Sequence, residues 1–98
     1  MIVITRHTVA PEDADDFVAR AAAALDALAR RPGYQSGSMA RAVDEPELWT
    51  VVTEWEGPGF YRRALSNFDV KIAAVPLLST AHDEASAFEV VSRRPADG

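Results

Sequence analysis

Apolar positions along the 98-residue chain change rhythm several times, and each change marks a predicted element. Met1 to Val9 is short and β-branched, with Val3 and Val9 on one parity and Ile2 and Ile4 on the other. Such a pattern predicts a strand covered on both faces. At Pro11 the period lengthens, and Phe17, Ala21, Ala24, Leu25 and Leu28 make one apolar stripe at helical spacing. Proline is tolerated in a first helical turn. Glu12, Asp13, Asp15 and Asp16 sit beside it, where the helix dipole favours negative charge. Pro32 and Gly33 stop this helix just after Arg30 and Arg31.

Tyr34 to Val43 reads as a second strand, weakened by Gly37 and two serines, and Asp44 to Glu47 reads as a turn. Leu48 to Glu56 is the strongest strand pattern. One parity holds Trp49, Val51, Thr53 and Trp55; the other holds Leu48, Thr50, Val52 and Glu54. The two strands and their acidic turn predict a hairpin. After Gly57-Pro58-Gly59, Tyr61, Leu65, Phe68, Ile72 and Val75 keep helical spacing, but Ser66-Asn67 interrupts it. Ser66 with Asp69 three residues on resembles a capping box. The expectation is one helix near 58–66 and another from about 68, with Pro76 kinking or ending it. A last strand is expected over Ala85 to Val91, closing a single domain at residues 1–92, with 93–98 as a loose tail.

The order β-α-β-β-α-β is that of a ferredoxin-like α+β fold, an antiparallel four-stranded sheet with its helices on one face. The other face of such a sheet must be polar or covered. Here it is not charged, which predicts a second subunit against it. Composition agrees. Of 47 apolar residues 18 are alanine, leaving 29 large enough to fill a core. A chain this short buries a limited share of its surface alone.

The net charge of −5, with no basic stripe, turns expectation away from nucleic acid. No cysteine means no disulfide and no thiolate metal site. No uncharged run reaches the roughly 18–20 residues of a membrane helix, so no membrane partner is expected. The start lacks the basic-then-apolar order of a signal peptide, and the expected location is the cytoplasm. His7 and His82 are far apart in sequence, with no carboxylate cluster at metal spacing, so no metal is expected.

Trp55, ending the best strand, and Tyr61, opening the next helix, can both face the gap between sheet and helices. Each has one hydrogen-bonding atom on an apolar ring, which suits either a flat, partly oxygenated ligand or a satisfied core position. Trp49 shares the face of Trp55 and reads as packing. Arg62 can meet an anionic ligand or pair with Glu54 or Glu56. His7 can act as a base if it lines the same gap, or be a satisfied strand residue. Val51, Phe68 and Ile72 complete the candidate substrate-binding set. Asn67 reads as a helix cap.

Pro32-Gly33-Tyr34, the run Trp49 to Gly57, and Phe60-Tyr61-Arg62-Arg63 resemble the antibiotic biosynthesis monooxygenase family. The resemblance implies a homodimer whose sheets pack face to face as a dimeric α/β barrel, with a pocket between sheet and helices in each subunit. It also implies that Trp55 and Tyr61 line that pocket. No metal or flavin cofactor is implied: a deprotonated phenolic or anthrone substrate reduces O₂ itself, while the protein orients it and accepts a proton. One departure is Val51, where those enzymes carry an asparagine. The haem-degrading branch would need a histidine ligand where Leu65, Ser66 and Asn67 stand. The function expected is therefore a cofactor-independent oxygenase of an aromatic metabolite. The alternatives are a non-catalytic barrel that binds a small molecule or partner protein, and an isomerase or cyclase using His7 or Tyr61.

Overall fold

Described over residues 1–97 in a computed structural model, the chain begins with strand β1 (Ile2–Thr8). A 3-10 turn over Pro11–Asp13 leads into helix α1 (Ala14–Ala29). Strands β2 (Tyr34–Arg41) and β3 (Leu48–Trp55) form the hairpin. Three short helices follow, α2 (Pro58–Leu65), α3 (Phe68–Ala73) and α4 (Val75–Leu78), and then β4 (Ala87–Phe88). All pairings are antiparallel, in the order β2-β3-β1-β4. This is the ferredoxin-like α+β arrangement expected from the element order.

Register divides the sheet into two different faces. Val3 lies opposite Thr53, Thr5 opposite Val51, and His7 opposite Trp49. Side chains alternate along a strand, so these six share one face, and all six are buried. The helices cover that face. Ile2, Ile4, Leu48, Thr50 and Val52 occupy the other, where they are half-buried and, among the described residues, no helix covers them.

Helix α1 buries Phe17, Ala21, Ala24, Ala27 and Leu28. Ala21 and Ala24 bring its axis close to the sheet, while Phe17 and Leu28 each contribute about 1.5–3 kcal/mol of apolar burial. The expected stripe held Leu25 in place of Ala27. The two flank the stripe on opposite sides: Leu25 approaches Gly37 of β2 and stays half-exposed, whereas Ala27 faces α3 beside Ala73. At the end of the helix Gly33 takes φ +86°, and its carbonyl accepts the Glu56 N–H at 2.8 Å. A Cβ there would run into the ring of Phe60, so the turn requires glycine twice over.

For the later helices, the expected Asn67 cap is found, while the Ser66 capping box and the rhythm carried past it are corrected. The cap of α3 is Asn67, whose Oδ1 accepts from the N–H groups of Asp69 (3.0 Å) and Val70 (3.2 Å). Ser66 instead leans back to the Arg62 carbonyl. The helical rhythm also restarts at each break. Across the three helices the buried positions are Ala64, Val70, Ala74 and Leu77. Phe68 and Ile72 are turned outward.

The last strand is much shorter than 85–91. The edge of β1 is occupied upstream by the segment 82–86, through His82 N–H to Arg6 O (2.8 Å) and Ile4 N–H to Ser86 O (2.7 Å). Only Ala87 and Phe88 then pair as a strand, opposite Val3 and Ile2. Residues 89–97 carry no regular element, although Arg93 pairs with Glu54 at 3.1 Å. Gly98, the end of the expected tail, lies outside the described residues.

Candidate functional site

The aromatic pair foreseen at the end of β3 exists. Trp55 and Tyr61 ring centroids lie 5.4 Å apart at 54°, and Tyr34 meets Trp55 edge-on at 5.4 Å. Trp55 is 1% exposed and its Nε1–H donates to Thr53 Oγ1 at 2.8 Å. The indole donor is thus already used, and its ring serves as the wall on which Tyr61 rests. Burial pushes the Tyr61 phenol above its usual pKa. Its side chain lines a cavity of about 420 Å³, a size within the roughly 300–1,000 Å³ common for small-molecule sites.

Thr5 of β1, Leu78 and Ser79 at the end of α4, and His82 and Glu84 of the following segment complete the wall. Residues 79–86 therefore form a strap across this cavity. Arg6 clamps it: its guanidinium donates to both Glu84 oxygens, at 2.9 Å and 2.7 Å. The Arg6 hydrogen bond, together with its charge, holds the Glu84 carboxyl below its usual pKa. The same bond raises Arg6. His82 bonds Thr8 through Nε2 at 2.8 Å, a second tie between strap and β1.

His7 lies behind Thr5, not in the cavity. It is 1% exposed and packs on Phe17, ring centroids 5.4 Å apart. Both ring nitrogens are occupied. Thr80 Oγ1 donates to the Leu77 carbonyl at 2.7 Å, so it can only accept from His7 Nδ1–H, at 3.0 Å. Nε2 is then the acceptor for the Thr5 hydroxyl at 2.9 Å; the other acceptor near Thr5, Val51 O, is 3.5 Å away. The network assigns a neutral imidazole protonated on Nδ1. Burial first, and the charge of His82 second, lower its pKa.

Of the remaining candidates, Val51 is 3% exposed and packs in the core behind Thr5. Arg62, Phe68 and Ile72 are not brought to the cavity. Phe68 and Ile72 are 73% and 63% exposed, and Arg62 lies on the outer side of α2 near Gly59 and Ser66. Of the two glutamates considered as its partners, Glu54 and Glu56, Glu54 pairs with Arg93. Arg63 stacks over Phe60, 4.8 Å from the ring centroid. Trp49 packs against Phe17 at 5.3 Å, as its strand position suggested. Thr5, Thr80 and the strap escaped sequence reading: Thr80 meets His7 from 73 residues along the chain, and no motif marks either threonine. The alternation that buries Thr5 between Val3 and His7 was the one signal present.

A larger groove of about 530 Å³, no more open than the Tyr61 cavity, runs between Met1, Gly57, Pro58 and the segment 87–90. It reaches neither Tyr61 nor Thr5. Among the described residues no three His, Asp or Glu side chains are grouped to hold a metal ion, and no helix is long and apolar enough to cross a membrane.

Solved structures share this architecture. An asparagine-to-alanine mutant of SnoaB, a cofactor-independent oxygenase from Streptomyces nogalater, superposes with a TM-score of 0.81. It is 23% identical, over 97% of this chain and 96% of that one. A conserved protein from Methanosarcina mazei Go1 reaches 0.71 at 21% identity, over 88% and 84% of the two chains. A candidate antibiotic biosynthesis monooxygenase from Bordetella bronchiseptica reaches 0.71 at 20% identity, over 92% and 96%. These likenesses establish the fold. A search of curated proteins finds no match. The sequence profile described as antibiotic biosynthesis monooxygenase matches residues 1–65, two thirds of the chain. The protein belongs to the antibiotic biosynthesis monooxygenase family.

Proposed function

We propose that the protein is a cofactor-independent monooxygenase of a small phenolic or anthrone-type aromatic, bound in the cavity beneath the strap. The observation that carries this reading is that Tyr61, packed on the Trp55 ring, and Thr5 line one cavity. Tyr61 donates to a ring oxygen of the ligand, and the raised phenol pKa keeps that proton in place at neutral pH. Asp83 and Glu84 on the rim favour a neutral ligand over an anionic one. Loss of the phenolic proton from the enol form of an anthrone gives an anion with carbanion character at the former methylene carbon, which O₂ oxidises, so one anthrone and one O₂ become a quinone and water.

The same reading makes the protein a homodimer, its uncovered sheet face packed on that of a second copy. Phe88, 44% exposed at the sheet edge, supports this, as do the half-buried Ile2, Ile4 and Val52. The expected solution mass is twice 10.6 kDa.

Oxygen consumption with 1,8-dihydroxyanthrone tests the activity. Uptake is expected, falling at least about tenfold in Tyr61→Phe, the equivalent of one lost hydrogen bond. A second reading, a ligand-binding barrel without catalysis, is favoured by the engaged indole N–H of Trp55 and by the apolar Val51. Tight anthrone binding with no uptake would select it.

A further inference from the structure

We infer that Thr5 and His7 form a proton relay, in which the Thr5 hydroxyl takes the phenolic proton of a ligand in the cavity and passes its own to His7 Nε2. This deepens the function proposed above and rests on it. Thr5 is the group that touches the ligand; His7 is a positioning residue and the final acceptor, acting through Thr5.

The geometry supplies each part. Thr5 lines the cavity, and its hydroxyl already points its proton at His7 Nε2, 2.9 Å away. The oxygen keeps a lone pair for a second donor. His7 cannot turn away, because Nδ1–H is held by Thr80 Oγ1 at 3.0 Å and the ring is packed on Phe17. Thr80 is fixed in turn by its own bond to the Leu77 carbonyl. A buried histidine joined to a threonine pair could be purely structural, but a purely structural pair needs no member on a cavity wall.

Protons balance without a further reactant. The ligand O–H bond breaks as its proton reaches Thr5 Oγ1, the Thr5 O–H bond breaks as its proton reaches Nε2, and the products are a phenolate and an imidazolium. The imidazolium still donates from Nδ1 to Thr80. Of the titratable groups, His82 on the strap acts on His7 through its charge, and His82, Glu84 and Tyr61 line the cavity beside Thr5. Asp13, Asp16 and Arg20 lie on the α1 side of Thr80. The lowered pKa of His7, due to burial and then to His82, leaves Nε2 unprotonated and able to accept at neutral pH.

The test uses 4-nitrophenol, whose ionised form absorbs in the visible, titrated with the full-length protein. Binding is followed separately by equilibrium dialysis. The wild-type protein is expected to bind the probe and ionise it, and to lose that ionisation on acidification with a midpoint below the usual imidazole value. Thr5→Ser retains the ionisation. Thr5→Val and His7→Phe are expected to bind the probe while the ratio of ionised to neutral bound probe falls at least about tenfold. The relay is overturned if the wild-type protein binds the probe without ionising it, or if Thr5→Val ionises it as well as wild type does. Absence of any binding overturns the phenol-binding function itself, and the relay with it.

Discussion

Arg6 and Glu84 meet in a two-pronged ion pair, Nε to Oε2 at 2.9 Å and Nη2 to Oε1 at 2.7 Å, which ties the strap over the cavity to β1. Both side chains are well exposed, so the pair contributes little to global stability. Its effect is local. Glu84→Gln is expected to speed amide hydrogen exchange at His82, whose N–H bonds the Arg6 carbonyl, while leaving the urea midpoint near that of wild type. High salt should act in the same direction on the wild-type protein. Unchanged exchange would show that the strap is held by its backbone bonds alone.

His7 makes stability depend on pH in a definite window. Its folded pKa is lowered, so between about 6.5 and that lower value the unfolded chain binds a proton that the folded chain refuses. Stability must therefore rise with pH through this window and fall on acidification. Glu84, also lowered, acts in a separate window at more acidic pH, losing its contribution as pH falls through the folded value. Urea midpoints of wild type and His7→Gln, measured from pH 7.5 down to about 5, are expected to converge as pH falls. Parallel curves would contradict the neutral imidazole.

Gly33→Ala combines a left-handed backbone with a Cβ inside the Phe60 ring. The expected loss is about 1–3 kcal/mol in urea unfolding. The Glu56 N–H bond to Gly33 O should weaken with it, seen as faster exchange at Glu56.

Thr53→Val keeps shape while leaving the Trp55 indole N–H without its acceptor in a site 1% exposed. Stability is expected to fall by about 1–3 kcal/mol. Thr53→Ser, which keeps the oxygen, should recover most of it. A larger loss in Thr53→Ser than in Thr53→Val would mean that packing of the methyl group, not the hydrogen bond, decides.

The sequence was most legible where one periodicity ran unbroken. Alternation in β3 correctly set Trp49, Val51, Thr53 and Trp55 on one face, and Pro11 with Pro32-Gly33 bracketed α1. It was least legible where a local rule met a tertiary one. Phe68 and Ile72 continue a helical rhythm from Tyr61 on paper, yet the break at Asn67 resets the phase and Val70 takes the inner position. β4 looked like a full strand by composition, but the strap occupies the edge of β1 first. Tyr61 and Trp55 could be foreseen from their places at a strand end and a helix start. Thr5 could not, because nothing local distinguishes it from any other buried strand threonine.

β1 carries the buried hydrogen-bond network and the uncovered face on alternate residues: Thr5 and His7 look inward, Ile2, Ile4 and Arg6 outward. Point substitutions at even positions can therefore diversify assembly and strap clamping while the odd positions stay fixed, and the converse holds. Insertion or deletion of one residue there would exchange the two sets at once. Lineages descending from this chain are thus free to drift in β1 by substitution but not by length.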